Sequence, residues 1–302
     1  MKVSAVIVTY NRLDDLKKTL EAYDKQTVPV SSLIVVDNHS SDGTDEFLKN
    51  WLQRTSAYEK VIHLLPDNLG GSGGFYYGML SAMKMDCDWI YLADDDAVPH
   101  ADMFEELFKF MNNHPGEMEN AVALCSAVNN RGSHTGVHRC RLYKTPVGCF
   151  EVTVSEKEYS KDYFYIDLYS FVGTMIRKRA LLEAGPARKE FFIYNDDYEH
   201  SLRIGKLGTI ICVPSAVIDH VDNLQRTREA TWRDYYGTRN AVVMHKEHFG
   251  SYYAVWRGIR RLLVGSTSLN LKKIHVIWEG VVDGLSGRMN KHAIYKPGWK
   301  EH

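Results

Sequence analysis

The stretch Val3–Arg12, VSAVIVTYNR, decides the fold: an apolar run rich in β-branched residues gives way abruptly to polar ones. Val3–Val8 lacks the strict apolar–polar alternation of a strand with one wet face, so it predicts a strand buried on both faces. The next segment, Leu13–Ala22, carries Leu13, Leu16 and Leu20 among polar residues. That spacing predicts a surface helix with Asn11 or Asp14 near its cap. The alternation then repeats. Leu33–Val36 predicts a second strand and Gly43–Leu52 a second helix, Val61–Leu65 a third strand and Gly74–Met83 a third helix, and Trp89–Leu92 a fourth strand. Such alternation implies a parallel sheet covered by helices and linked by right-handed crossovers.

Sheets of this kind bind ligands beyond the carboxyl ends of their strands. Here those ends carry Thr9-Tyr10-Asn11-Arg12, Asp37-Asn38, Asn68-Leu69-Gly70-Gly71 and Asp94-Asp95-Asp96. Four polar tips on one edge predict a binding crevice. Farther on, Cys125–Val128 and Phe164–Ile166 predict strands, with a polar excursion over the crevice between Asn129 and Gly148. Tyr169–Arg177 leads into a helix near Arg179–Ala184, ended by Gly185-Pro186. Phe191–Asp197 brings another acidic tip, Tyr198–Leu207 a helix, and Ile210–Val213 and Ala216–His220 two strands. Trp232–His302 reads mainly as helices.

The 302 residues are 44% hydrophobic and 25% charged, as in a globular protein with a core of ordinary size. A net charge of -1 gives no global field for nucleic acid. The five cysteines are odd in number and never spaced CxxC, which predicts reduced thiols rather than disulfides or a zinc site. Neither a secretory leader nor a run of about 18 apolar residues is present, so the sequence predicts a cytoplasmic protein.

Three constellations could carry chemistry. Along a strand, Asp94 and Asp96 point to one face and Asp95 to the other, so two carboxylates could hold a divalent cation that bridges phosphates. The glycine-dense run Asn68–Gly74 precedes the predicted helix and reads either as a cradle for an anion or as a plain connector. Its spacing is not that of a Walker A loop, which disfavours ATP hydrolysis. Asp196-Asp197-Tyr198-Glu199 sits where a helix begins, a place that acids favour on dipole grounds alone; a proton acceptor is the alternative. His220, ending a strand, is the best-placed imidazole of 13.

Taken in order, Val8–Arg12, Val36–Thr44, Asn68–Gly71 and Asp94–Asp96 resemble glycosyltransferase family 2, whose members have the GT-A fold and invert the anomeric centre. NLGGSGGF, the triple Asp and FIYNDDYEH with a later His resemble most its galactofuranosyltransferase branch. The resemblance implies that Thr9, Arg12, Asp37, Asn68 and Asp94 contact the nucleotide. It also implies that Asp94, Asp96 and His220 hold the metal, Mn²⁺ or Mg²⁺, and that Asp197 is the general base.

The expectation is therefore an α/β GT-A nucleotide-diphospho-sugar transferase domain, Met1–Asp222, with a C-terminal helical appendage, Asn223–His302. The activity expected is metal-dependent transfer from a nucleotide-diphosphate sugar, UDP-galactofuranose first and dTDP-rhamnose second, to a cell-surface glycan acceptor that is lipid-linked. A nucleotidyltransferase and a non-catalytic sugar-nucleotide binder are the readings from other classes. Trp256-Arg257, Arg260-Arg261, Lys272-Lys273 and Trp278 mix cations and aromatics on predicted helices. They point to peripheral contact with the inner face of the membrane, to self-association as a homo-oligomer, or to a simple cap on the domain.

Overall fold

The computed structural model describes residues 1–134, 138–146, 148–221 and 228–299. The first half alternates as expected: β1 (Val3–Thr9), α1 (Leu13–Asp24), β2 (Ser32–Asp37), α2 (Thr44–Leu52), β3 (Glu59–Leu64), α3 (Gly70–Ala82) and β4 (Trp89–Asp94). β1 pairs in parallel with both β2 and β4, and β2 in parallel with β3. Every residue of β1 and β2 is buried, because helices cover both faces of the sheet. Alternate residues serve opposite cores. Ala5, Ile7, Leu33 and Val35 join one cluster; Val6, Val8, Ile34 and Val36 join the other.

The second half extends the sheet. β5 (Val98–Pro99), α4 (Met103–Asn113), α5 (Pro115–Asn120) and β6 (Ala121–Asn129) lead to β7 (Arg139–Thr145), β8 (Gly148–Thr153), β9 (Phe164–Ile166), β10 (Leu168–Tyr169) and β11 (Thr174–Arg177). Then come α6 (Lys178–Ala184), α7 (Asp196–Ile204), β12 (Thr209–Asp219), α8 (Trp232–Phe249), α9 (Ser251–Ser266) and α10 (Leu271–Ser286). The main sheet runs β3-β2-β1-β4-β11-β6-β12-β5, with β9 also on β12. β11 is antiparallel to β4 and β6, while β12 is parallel to β6. This is a mixed, mostly parallel sheet between helices, followed by C-terminal helices. Strand order reverses between β2-β1 and β4, so the crevice at the carboxyl ends of β1 and β4 is the topological switch point.

Three expectations need correction. The stretch 129–148 is no mere excursion, since β7 forms a second, three-stranded antiparallel sheet with β8 and β10. The two strands predicted at 210–213 and 216–220 are one strand, β12, whose register with β6 shifts between Val213 and Val217. Pro214 lies at the shift, where a residue without an N–H cannot complete the ladder. α7 begins at Asp196, and α3 at Gly70 rather than Gly74.

The last of these changes what the glycines do. A Cβ on Gly74 would stand 2.3 Å from Val8 Cγ1, and one on Gly78 would stand 2.3 Å from Val6 Cγ1. The glycines lie inside α3 and let it sit directly on β1. Gly74 and Gly78 serve packing, and Gly70–Gly74 forms the first turn of α3 rather than a loop before it. Gly78→Ala is accordingly expected to destabilise the fold by about 1–3 kcal/mol through overpacking. Gly71, with nothing within 4 Å of a Cβ, should tolerate Ala with no loss. Urea unfolding of the two variants checks the contrast.

All five cysteines are buried thiols outside any disulfide. Among the described residues, no helix is long and apolar enough to cross a membrane. The expected boundary between Asp222 and Asn223 falls in residues 222–227, outside the described residues.

Candidate functional site

Register places the polar tips side by side. Thr9 is paired with Asp37 across β1 and β2, and Val8 with Asp94 across β1 and β4. Asp95 turns inward to staple this edge. It accepts hydrogen bonds from the Thr9 hydroxyl at 2.7 Å and the Tyr10 N–H at 3.3 Å, and its carbonyl accepts from Thr19 at 2.7 Å. Burial pushes the Asp95 carboxyl up to about 7 against the Thr9 hydrogen bond. The Thr9 side chain thus shapes the edge instead of facing the cleft.

Asp94, the last residue of β4, and Asp96, in the turn that follows it, come together on the other side. With His220, at the end of β12, they offer two carboxylate oxygens and one imidazole nitrogen within 4.8 Å of one another. His220 Nε2 is 3.3 Å from an Asp96 oxygen. Burial and the Asp96 charge push Asp94 up to about 6. Burial would raise Asp96 too, but His220 and Arg12 hold it below the ordinary carboxyl range. Arg12 pairs with Asp96 and, at 3.4 Å, with Asp95. Crowded carboxylates and an imidazole, with one carboxyl already disfavoured as an anion, form a donor set that fits Mn²⁺ or Mg²⁺. His138, which sequence reasoning missed, packs edge-on against His220 with ring centroids 5.3 Å apart, and its Nδ1 meets Ser170 at 2.8 Å.

Asp37 is buried and accepts from the Ser40 N–H at 3.1 Å; burial raises its carboxyl. Asn68 accepts from the Gly70 N–H at 2.8 Å and from Asn38 at 3.3 Å. Asn38 in turn donates to the Gly70 carbonyl at 2.8 Å, so the second and third tips are tied together.

The second acidic cluster arrives on α7. Asp196 is buried and pushed up to about 6 by that burial. Asp197 is raised well above the ordinary carboxyl value by burial, then by the Asp196 charge, with Asp94 adding to both. Asp94 thus acts on Asp197 although the two are 103 positions apart in sequence (197 − 94). Glu199 has another task. It accepts from Arg203 at 3.0 Å and meets His248 at 3.1 Å, and these partners outweigh burial and lower its carboxyl to about 2. Glu199, Glu247 and His248 also lie within 4.8 Å of one another, but Arg203 already neutralises Glu199.

What holds the second cluster in place was not legible in the sequence. Phe192, Tyr194 and Asn195 all have positive φ, at 67°, 68° and 61°. Such backbone is strained for side-chain-bearing residues and survives only when surroundings enforce it. α8 enforces it. Asn240 donates to the carbonyls of Phe191, Ile193 and Tyr194 at 2.8–2.9 Å, and Arg239 to those of Glu190 and Phe191 at 3.0 and 3.1 Å. From the opposite side, the Ser72 N–H donates to the Phe192 carbonyl at 3.2 Å, and a Cβ on Gly70 would stand 1.9 Å from the same oxygen. The loop ahead of Asp196-Asp197 is gripped between α3 and α8.

Comparison with known proteins agrees with this architecture. Residues 4–183 match the family described as Glycosyl transferase family 2. Galactofuranosyltransferase GlfT1 of Mycobacterium tuberculosis is 42% identical over 94 residues, which is 31% of this chain and 30% of the relative's length. The match thus spans under a third of that protein. Solved structures share the fold at low identity. GalNAc-T7 with UDP, GalNAc and Mn²⁺ gives a TM-score of 0.64 at 14% identity, covering 98% of this chain and 56% of the other. The mannosyltransferase PcManGT of Pyrobaculum calidifontis, with GDP-Man and Mn²⁺, gives 0.58 at 13% identity, covering 95% and 88%.

Proposed function

The chain belongs to glycosyl transferase family 2, and from that premise we propose that it is an inverting, metal-dependent glycosyltransferase that moves galactofuranose from UDP-galactofuranose to a hydroxyl of a lipid-linked cell-surface glycan at the inner face of the membrane. The observation that carries the reading is the pairing of two clusters at the switch point. Asp94, Asp96 and His220 converge within 4.8 Å, and Asp197, from a different strand–helix junction, is near enough to be perturbed by Asp94. The partial likeness to galactofuranosyltransferases supports the choice of donor.

On this reading Arg12, Asp37 and Asn68, with the backbone around Thr9, hold the uridine diphosphate at the strand ends. Asp94, Asp96 and His220 would hold Mn²⁺ or Mg²⁺, which when bound supplies positive charge to the departing diphosphate. Asp197 accepts the acceptor's hydroxyl proton while the acceptor oxygen forms its bond to C1 of the sugar. The bond from C1 to the β-phosphate oxygen breaks on the opposite side, UDP leaves with that electron pair, and the anomeric centre inverts. Asp94 and Asp96 are poor candidates for the proton acceptor, since a cation would draw on their lone pairs.

A panel of nucleotide sugars with Mn²⁺ or Mg²⁺, scored for free nucleoside diphosphate, tests the reaction class and the donor together. UDP released from UDP-galactofuranose in an acceptor-dependent manner is the expected result; pyrophosphate released from a nucleoside triphosphate would replace this reading with nucleotidyl transfer. Binding is a separate check. UDP should bind at least about tenfold more tightly with Mn²⁺ than with EDTA, a difference of about 1.4 kcal/mol, and Asp96→Ala should remove the difference. Calorimetry reads both, and equal affinities with and without the ion would take the metal out of the site.

A further inference from the structure

α9 is built the wrong way round for a helix that meets only water. Its buried positions include Ala254, Gly258 and Gly265. A Cβ on Gly258 would stand 2.8 Å from Val281 Cγ1, and one on Gly265 would stand 2.4 Å from Ile277 Cδ1, so small residues let α10 press against this side. The large apolar residues point outward: Tyr252, Val255, Trp256, Ile259, Leu263 and Val264 are all exposed. Tyr252, Val255, Trp256, Ile259 and Leu263, spaced by three, four and seven residues, make one continuous stripe, with Val264 beside its end. The cations that the sequence suggested would lie on this surface are partly turned inward. Arg257 pairs with Glu151 at 2.8 Å, and Arg261 donates to the Gly237 carbonyl at 2.8 Å.

Two more apolar residues are exposed past the end of α9: Leu269, 90% exposed in the turn before α10, and Leu271, the first residue of α10, 83% exposed. Leu269 has a φ of 58°, backbone that a leucine adopts only under constraint, and the Ser266 carbonyl accepts its N–H at 3.1 Å. The segment that carries the stripe contributes charge of one sign, and the acids near it, Glu151 and Asp234, are paired with Arg257 and Lys273. No Asp or Glu occurs from His248 to Trp278, while Arg260 and Lys272 are exposed at its edge. A large apolar patch on a protein surface marks a contact site, and one whose own exposed charges, Arg260 and Lys272, are cationic suits an anionic bilayer.

We infer that the exposed stripe of α9, with Leu269 and Leu271 as its tip, inserts into the headgroup region of an anionic lipid bilayer. Asn195, next to the second acidic cluster, donates to the same Gly237 carbonyl that Arg261 reaches, at 3.4 Å. The lipid-facing helix therefore lies one helix away from the proposed acceptor side, where a lipid-linked glycan would present its hydroxyl. The inference deepens the proposed reading and rests on it only for which membrane is met.

Flotation of the full chain with phosphatidylcholine vesicles containing one-third phosphatidylglycerol, at low salt, tests it without measuring sugar transfer. The chain is expected to float, and the double variant Leu263→Glu, Leu269→Glu to lose at least about tenfold in partitioning at an unchanged melting temperature and UDP affinity. No flotation of the wild-type chain would overturn the inference, and so would a variant that floats equally well. Sedimentation separates the rival occupant: a dimer broken by the same substitutions, in a chain that does not float, would assign the stripe to a second copy.

Discussion

Replacing Asp197 by Asn is expected to lower sugar transfer by about two orders of magnitude or more, while affinity for UDP and Mn²⁺ stays within a few-fold. An acceptor hydroxyl holds its proton far above neutral pH, so the proton must leave as the new bond forms. A carboxylate within hydrogen-bond reach can take it; an amide of the same shape cannot. Steady-state transfer with UDP calorimetry on the same preparation separates the two quantities. Loss of UDP binding in step with transfer would make Asp197 a binding or structural group.

Stability gives an independent readout. Burial and the neighbouring acids raise the Asp197 carboxyl well above its ordinary value. A carboxyl raised in the folded state binds more protons there, so it subtracts stability as pH climbs from the unfolded value through the folded one. Without metal at pH 7.5, Asp197→Asn is therefore expected to melt at or above the wild-type temperature, with the gap closing as pH falls toward about 4. An inactive variant that is more stable is the signature of a group placed for chemistry. Glu199→Gln should behave in the opposite way. It weakens the buried pairs with Arg203 and His248, so it should lower the melting temperature, and any loss of transfer should follow that loss of fold.

What could be read from the sequence, and what could not, divides by range. The tips of β1, β2 and β4 were legible because each is a local event: a buried run ends, and polar residues must sit where the sheet meets its crevice. Asp94 and Asp96 do meet, but across the turn that follows β4 at Asp94, where strand alternation no longer applies. That His220 joins them needed the resemblance, since its partners lie across the sheet from β12. α3 starts earlier than glycine's poor helix propensity predicts, and Val6 and Val8 of the strand beneath it leave no room for a Cβ at Gly78 and Gly74. Nothing local in Asp196-Asp197-Tyr198-Glu199 tells one acid from another; Glu199 is set apart by His248, which reaches it from α8. In the same way, TRN within α8 reads as an ordinary polar turn of helix, although Arg239 and Asn240 are fully buried.

That burial underlies the second large effect. Asn240→Ala is expected to lower kcat by about ten- to a hundredfold, with the KM for donor and the metal-dependent UDP affinity nearly unchanged. Asn240 gives hydrogen bonds to three carbonyls of one loop, spanning Phe191 to Tyr194. Two of the residues it fixes or adjoins, Tyr194 and Asn195, hold left-handed backbone immediately before Asp196. Without the amide, those carbonyls lose their donor inside the protein, at about 1–3 kcal/mol for a buried unsatisfied group. The cheapest relief is for the loop to relax toward ordinary φ values, and Asp197 moves with it. A displacement of about 1 Å at a reacting group can cost roughly a hundredfold in rate. The nucleotide side would share little of the change, because Asp37 and Asp94 end β2 and β4 and Asn68 is tied to Asn38, with no bond to α8 among the described residues. A merely structural role would instead lower UDP affinity and the rate together, through loss of folded protein. Asn240→Gln, which keeps an amide donor, should recover part of kcat, whereas Asn240→Leu, which fills the space without donating, should not. Equal kcat values for the Gln and Leu variants would mean that packing, not the grip on the loop, is what α8 contributes to Asp197.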